Sequence, residues 1–151
     1  MLFDLLVLGG CEPAKLRGQA RPRQLPRLPH RHRGEETRMW MTVGERRFAI
    51  TLADNAAART FAAQLPLTVD MSELNGNEKH ADLREALPAD ASRPETIRNG
   101  DLMLYGTNTL VVFYATFNSS YSYTRLGRVD DPADLPRALG PRGVRVVFST
   151  A

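Results

Sequence analysis

The chain predicts a mainly β domain, a sandwich or closed barrel of about eight strands with two short helices. Three observations carry this. Met39 to Leu52 and Leu67 to Leu74 alternate with the period of two expected of half-buried strands. Asn99 to Arg125 holds the longest apolar run and all four tyrosines, punctuated by Gly/Asn/Ser turn signals, and reads as three consecutive strands. So many strands within roughly a hundred residues suit closure or stacking better than an open sheet.

Met39–Val43 and Arg47–Leu52 flank Gly44-Glu45-Arg46 as a hairpin, with Phe48, Ile50 and Leu52 on one face. Asp54 or Asn55 then offers an N-cap, and Ala58, Phe61, Ala62 and Leu65 recur at helical spacing until Pro66. In Leu67–Leu74, Leu67, Val69 and Met71 share one face and Thr68, Asp70 and Ser72 the other. Asn75-Gly76-Asn77 is a tight reversal into a returning strand over Glu78–Leu83, followed by a helical turn over Leu83–Pro88. The polar stretch Pro88–Asn99 predicts a surface loop long enough to face a ligand. Leu102–Tyr105, Thr109–Tyr114 and Tyr121–Arg125 follow as strands. Leu110-Val111-Val112-Phe113 is apolar on both faces, as for a central strand with a helix on one side and the core on the other. Asp131 as cap and Pro132 at the first position open a second helix closed by Gly140, and Val144–Phe148 is the last strand.

Charge and cysteine separate the first 38 residues from the rest. That leader carries 8 Lys/Arg and 4 Asp/Glu, leaving 12 and 13 in Met39–Ala151, so the domain itself has a net charge of −1. A basic nucleic-acid surface on the folded part is therefore not expected. Cys11 is the single cysteine, so the domain has no disulfide, thiolate nucleophile or cysteine metal ligand. Met1–Cys11 resembles a lipobox but lacks a basic start and is interrupted by Asp4. It is far too short for the roughly 20 residues a spanning helix needs. Gly18–Arg38 interleaves arginine with Pro22, Pro26 and Pro29 and reads as disordered. We expect structured sequence from Met39, with Met39 or Met41 the native start and a cytoplasmic, monomeric domain of residues 39–151. A genuine leader would instead imply lipidation at Cys11 and a lipid-anchored or periplasmic domain.

The order β-β-α-β…β-α-β, with Asn75-Gly76-Asn77-Glu78, Gly100-Asp101-Leu102-Met103-Leu104-Tyr105, Asn108–Tyr114 and Ser122-Tyr123-Thr124-Arg125-Leu126-Gly127, resembles the small bacterial cyclophilin-like proteins. The resemblance implies a closed eight-stranded β-barrel with a helix over each open end. It also implies stand-alone domains, lipoprotein domains or domains fused to a flavodoxin-like partner, of unassigned role. Prolyl isomerase activity is the implied chemistry. True cyclophilins carry an arginine in a Phe-His-Arg context on the strand after the first helix, with Phe and Gln beyond it. Here that strand reads Leu67-Thr68-Val69-Asp70-Met71-Ser72-Glu73-Leu74, without arginine, histidine or glutamine. Lys79, past the turn, is a point charge rather than a planar guanidinium fork. The tryptophan and histidine of the cyclophilin pocket are also missing, the domain having only Trp40 and His80.

Other chemistries find less support. Glu73 and Glu78 flank a turn and read first as a solvated hairpin end. A metal at His80 would need Glu78 or Asp82, an uncommon set. No phosphate-cradling loop or nucleophilic triad is present, so no cofactor or metal is expected. The remaining reading is a non-catalytic groove for a peptide or small ligand, lined by Met71, Asn75, Glu78, Tyr105, Asn108, Phe113, Tyr121, Tyr123 and Arg125. Arg125 shares the parity of Tyr121 and Tyr123 and would hold a carbonyl or carboxylate. The alternatives are a divergent isomerase, or a barrel packed by its tyrosines with Arg125 in a structural ion pair with Glu73, Glu78 or Asp101.

Overall fold

Arg38–Val43 (β1) and Arg46–Leu52 (β2) form the predicted hairpin, with Gly44 at φ +58° in its turn. The computed structural model describes residues 37–151. Cys11 and its lipobox-like run, with the arginine- and proline-rich leader, lie outside the described residues. Helix α1 (Ala56–Ala63) starts where Asn55 Oδ1 accepts the Ala58 N–H at 2.8 Å, and it buries Ala57, Ala58 and Phe61. The Phe61 ring meets Phe148 edge-on, with centroids 5.5 Å apart.

Next come β3 (Leu67–Leu74), β4 (Glu78–Asp82), β5 (Thr96–Ile97), β6 (Asp101–Tyr105), β7 (Thr109–Phe113), β8 (Phe117–Asn118) and β9 (Thr124–Val129). Helix α2 (Leu135–Leu139) and β10 (Val144–Thr150) complete the domain. Eight strands close a barrel in the order β1-β10-β3-β4-β7-β6-β9-β2, every neighbour antiparallel, and β5 pairs with β8 apart from it. Closure gives every long strand two partners and leaves no open edge. Alternation then sorts the side chains. Met39, Met41, Ile50, Val69, Met71, Leu102, Leu104, Leu110, Val112, Val146 and Phe148 fill the interior together with both helices' apolar residues.

Four predicted elements change. Leu83–Pro88 is irregular, bending at Arg84 and Glu85, and not helical, because its Leu83 and Leu87 N–H groups donate to the carbonyls of Asn108 and Thr107 in the β6–β7 turn, both at 2.7 Å. The third strand begins at Thr124 rather than Tyr121, since Tyr123 exchanges its backbone bonds with Ser92 instead, each 2.9 Å. It runs on to Val129 through a bulge at which its register with β6 shifts. Gly127 sits there against β2, where a Cβ would fall 2.6 Å from the Thr51 carbonyl oxygen. Helix α2 starts later than expected: Leu135 N–H bonds the Pro132 carbonyl in a preceding turn, so Asp134, not Asp131, precedes the first helical residue. Finally, β7 is covered on its outer face by loops and not by a helix. A second apolar cluster of Ile97, Met103, Val111, Phe113 and Tyr123 forms beneath residues 84–100 and 114–123.

The barrel interior also holds a charge. Lys79 is 0% exposed, and its three donors are all used: Glu73 Oε2 at 2.8 Å and the carbonyls of Gly140 and Arg142 at 2.7 Å. Its ammonium also lies 5.1 Å from the Tyr114 ring centroid. Tyr114 donates its hydroxyl to the other Glu73 oxygen. Burial alone would raise the Glu73 carboxyl, but the Lys79 and Tyr114 hydrogen bonds outweigh it and hold it below the ordinary value. Burial and then the Glu73 carboxylate push the Tyr114 hydroxyl up to about 12.

Because the folded Glu73 carboxyl is depressed, its contribution to stability is present above the ordinary carboxylate range and is lost as pH falls through the folded value. Urea unfolding of Lys79→Met is expected to show a loss of roughly 3–5 kcal/mol at neutral pH, the consequence of removing one partner of a buried pair. That deficit should shrink in acid. Arg145→Met, at the exposed Arg145–Asp70 pair, should change little; an equal effect of the two substitutions would contradict this account.

Candidate functional site

On the outer face of β4, β6 and β7, a run of aromatic rings leads from the second apolar cluster to solvent. Phe113 is buried and meets Tyr123 edge-on at 5.4 Å; Tyr123 meets Tyr105 at 5.8 Å; Tyr105 meets Tyr121 at 6.3 Å and 87°. Phe117 backs Phe113 at 5.7 Å. The chain of contacts has a direction: Tyr123 is buried, whereas Tyr105 is 47% and Tyr121 62% exposed. Such edge-to-face pairs favour defined ring positions beyond the area they bury.

These tyrosines border a cleft of about 330 Å³, which Thr109 and Val111 of β7, Glu78 and His80 of β4 and the turn residues Leu74 and Asn75 also line. The turn is shaped by Asn75 (φ 56°) and Gly76 (φ 68°), positive angles that match the twist of a tight hairpin and suit Asn-Gly. Leu74 adds an exposed apolar edge. Among the described residues the Glu78 carboxylate has no ion-pair partner. Burial raises its carboxyl above the ordinary value; nearby His80 opposes that shift and the Glu73 carboxylate adds to it. Burial, then the Glu78 carboxylate, likewise raises the Tyr123 hydroxyl.

A second, more polar groove of about 810 Å³ lies between residues 63–72 and residues 80–85. His80 lines both hollows. Gln64 lines this groove, and its Nε2 is buried with no hydrogen-bond partner among the described residues. The outward positions of β3 here are Thr68, Asp70 and Ser72. Asp70 is bonded by Arg145 Nε at 2.9 Å from β10. Among the described residues no group of three or more His, Cys, Asp or Glu is placed to hold a metal ion.

Of the residues picked out in the sequence, the structure brings Asn75, Glu78, Tyr105, Tyr121 and Tyr123 to the cleft. Phe113 lies directly behind it as the support of Tyr123. Three lie elsewhere. Met71 points into the barrel core and is buried there. Asn108 is in the β6–β7 turn, where its carbonyl and its Nδ2 (3.4 Å) engage Leu83 and tether the covering loop. Arg125 pairs with Met103 of the outer-face cluster, but its guanidinium turns to Asp101 at 3.2 Å. Asp101 is 0% exposed and also takes two Arg128 bonds at 3.1 Å and the Arg98 N–H at 2.8 Å. The structural ion pair weighed for Arg125 is thus the one present. Leu74, His80, Thr109 and Val111 were missed as lining residues. Parity within β4 and β7 groups His80 with Glu78 and Val111 with Phe113, but only knowledge of which face is outward makes that signal usable.

A carboxyl whose folded pKa is raised contributes stability only below the ordinary carboxylate range and opposes folding as pH rises through the folded value. Glu78→Gln is therefore expected to raise the urea midpoint at neutral pH, the gain disappearing in acid. A lower midpoint at neutral pH would mean that the carboxylate has a structural partner.

Comparison with known proteins agrees with this architecture. A family model described as the cyclophilin-like family matches residues 41–149. The solution structure of the hypothetical protein AF2241 from Archaeoglobus fulgidus superposes with a TM-score of 0.60 at 16% identity, covering 80% of this chain and 98% of that one, a likeness of fold. No curated protein matches. With a closed barrel of eight antiparallel strands and a family match across nearly all of it, the chain belongs to the cyclophilin-like family.

Proposed function

We propose that the domain is a non-catalytic binding module that takes a peptide or small ligand in the tyrosine-lined cleft. The observation that carries this is the ring series: aromatic side chains are packed from behind by Phe113 and Tyr123, yet two of them, Tyr105 and Tyr121, remain exposed. Rigid apolar area with hydroxyl tips, beside a free carboxylate and an amide, suits a ligand site. Two grooves that share His80 in their linings suit an extended ligand in particular.

Isomerisation by the cyclophilin route draws on an arginine fork aimed at the rotating amide. The outward face of β3 carries none, and Arg145 beside it is engaged with Asp70. Lys79 is inside the barrel. Among the described residues no lysine or arginine lines the cleft.

A protease-coupled assay on a proline-containing peptide, run with the full chain, is expected to show no acceleration of cis/trans exchange. In parallel, tyrosine ring signals are followed by NMR during titration with blocked alanine-based pentapeptides. Shifts should centre on Tyr105, Tyr121 and Tyr123, and Tyr121→Ala should weaken binding by about tenfold, as for an interface anchor. Turnover abolished by substitutions in the cleft would establish the isomerase reading instead.

A further inference from the structure

We propose that the cleft selects the cationic side chain of a lysine or arginine in an extended peptide, holding it over the Tyr105 and Tyr121 rings with Glu78 as counter-ion. This rests on the cleft being a ligand site.

The first ground is the charge inventory. Among the described residues Glu78 is the one acidic side chain lining the cleft, His80 is the one basic ring, and no lysine or arginine lines it. The half-buried Glu78 carboxylate differs from the other shielded carboxylates. Glu73 has Lys79 and Tyr114, and Asp101 has Arg125 and Arg128. A carboxylate taken partly out of water without a cation is unfavourable, and a ligand cation would supply the missing partner.

The second ground is the rings. The negative faces of aromatic rings attract cations, and tyrosine is an effective partner within about 6 Å. Tyr105 and Tyr121 both line the cleft, and their planes stand at 87° to each other. An anionic side chain would meet these faces and Glu78 with no guanidinium to offset them, since Arg125 is turned to Asp101.

The adjoining groove extends the same sign. With Asp70 paired to Arg145, it is lined by Asp82 and Glu85 against Arg84. A peptide reaching from the cleft into this groove would meet a net negative lining, which favours basic sequences in both encounter and selection. The cleft volume of about 330 Å³ is near the lower limit for ligand pockets and suits one anchoring side chain.

The test uses the full chain, tyrosine ring signals and three blocked pentapeptides that differ at the centre: lysine, norleucine or glutamate flanked by alanines. Lysine and norleucine share a straight carbon chain, so their difference isolates the charge. The lysine peptide is expected to bind about tenfold more tightly than the norleucine peptide, within the range of a partly desolvated cation–π contact plus a counter-ion, and the glutamate peptide more weakly than both. The lysine preference should fall to about twofold in Glu78→Gln, while Tyr121→Leu, at an exposed position, should weaken both peptides. Equal binding of lysine and norleucine at the cleft would overturn the cation inference and leave the cleft a binding site. No shift of the cleft tyrosines with any of the three would overturn both.

Discussion

The buried ammonium of Lys79 fixes which face of β4 looks into the barrel. A charge in an apolar interior is tolerated only when its donors are satisfied, and here Glu73 and the carbonyls of Gly140 and Arg142 satisfy all three. These partners come from β3 and from the turn after α2, so one side chain ties three segments together at one place. Tyr114, donating to the same Glu73, adds the residue that follows β7. Strand geometry does the rest. With Lys79 inward, Glu78 and His80 must point outward, and the β4–β7 register puts them opposite Phe113 and Val111 of the outer cluster. The candidate site is therefore a consequence of an interaction on the other side of the wall.

The outer face has its own organisation. Loops that would ordinarily run over the surface bury Ile97, Phe113 and Tyr123 there, linked by β5–β8 and the Ser92–Tyr123 bridge. Asp101 anchors the neighbouring part, where Arg125 and Arg128 converge on one fully buried carboxylate. This ordering gives the exposed tyrosines a rigid backing. Binding to a surface already in position avoids much of the entropy lost when side chains are immobilised on association.

Much of the fold was legible in the sequence. Period-two alternation located the β1–β2 hairpin and β3, Asn-Gly chemistry located the β3–β4 turn, and Asp54-Asn55 marked the start of α1, where Asn55 is the cap. What failed to read out was long-range competition for backbone partners. Nothing local in Leu83–Pro88 shows that its N–H groups go to the β6–β7 turn, or that Tyr123 pairs with Ser92 and delays β9. The site was legible in part for a similar reason. Tyrosines near one another in sequence converge, and the parity of Arg125 placed it on the right face, but a guanidinium reaches far enough for its partner to decide its position. Met71 follows the inward pattern of β3 and packs in the core. In Glu78–Leu83 only Ala81 and Leu83 mark the inward face, a weak signal at one end of β4, and a lysine on the same parity would ordinarily be read as solvated.

That assignment is the point on which the account stands, and the chain allows it to be measured directly because its two lysines are Lys15 and Lys79. Reductive methylation of the full chain, read by peptide mass spectrometry with and without urea, reports the accessibility of each. Lys79 is predicted to remain unmodified under native conditions and to react only as the domain unfolds. Rapid native modification of Lys79 would put its side chain on the outer face, turn Glu78 and His80 inward, and contradict the cleft built on them.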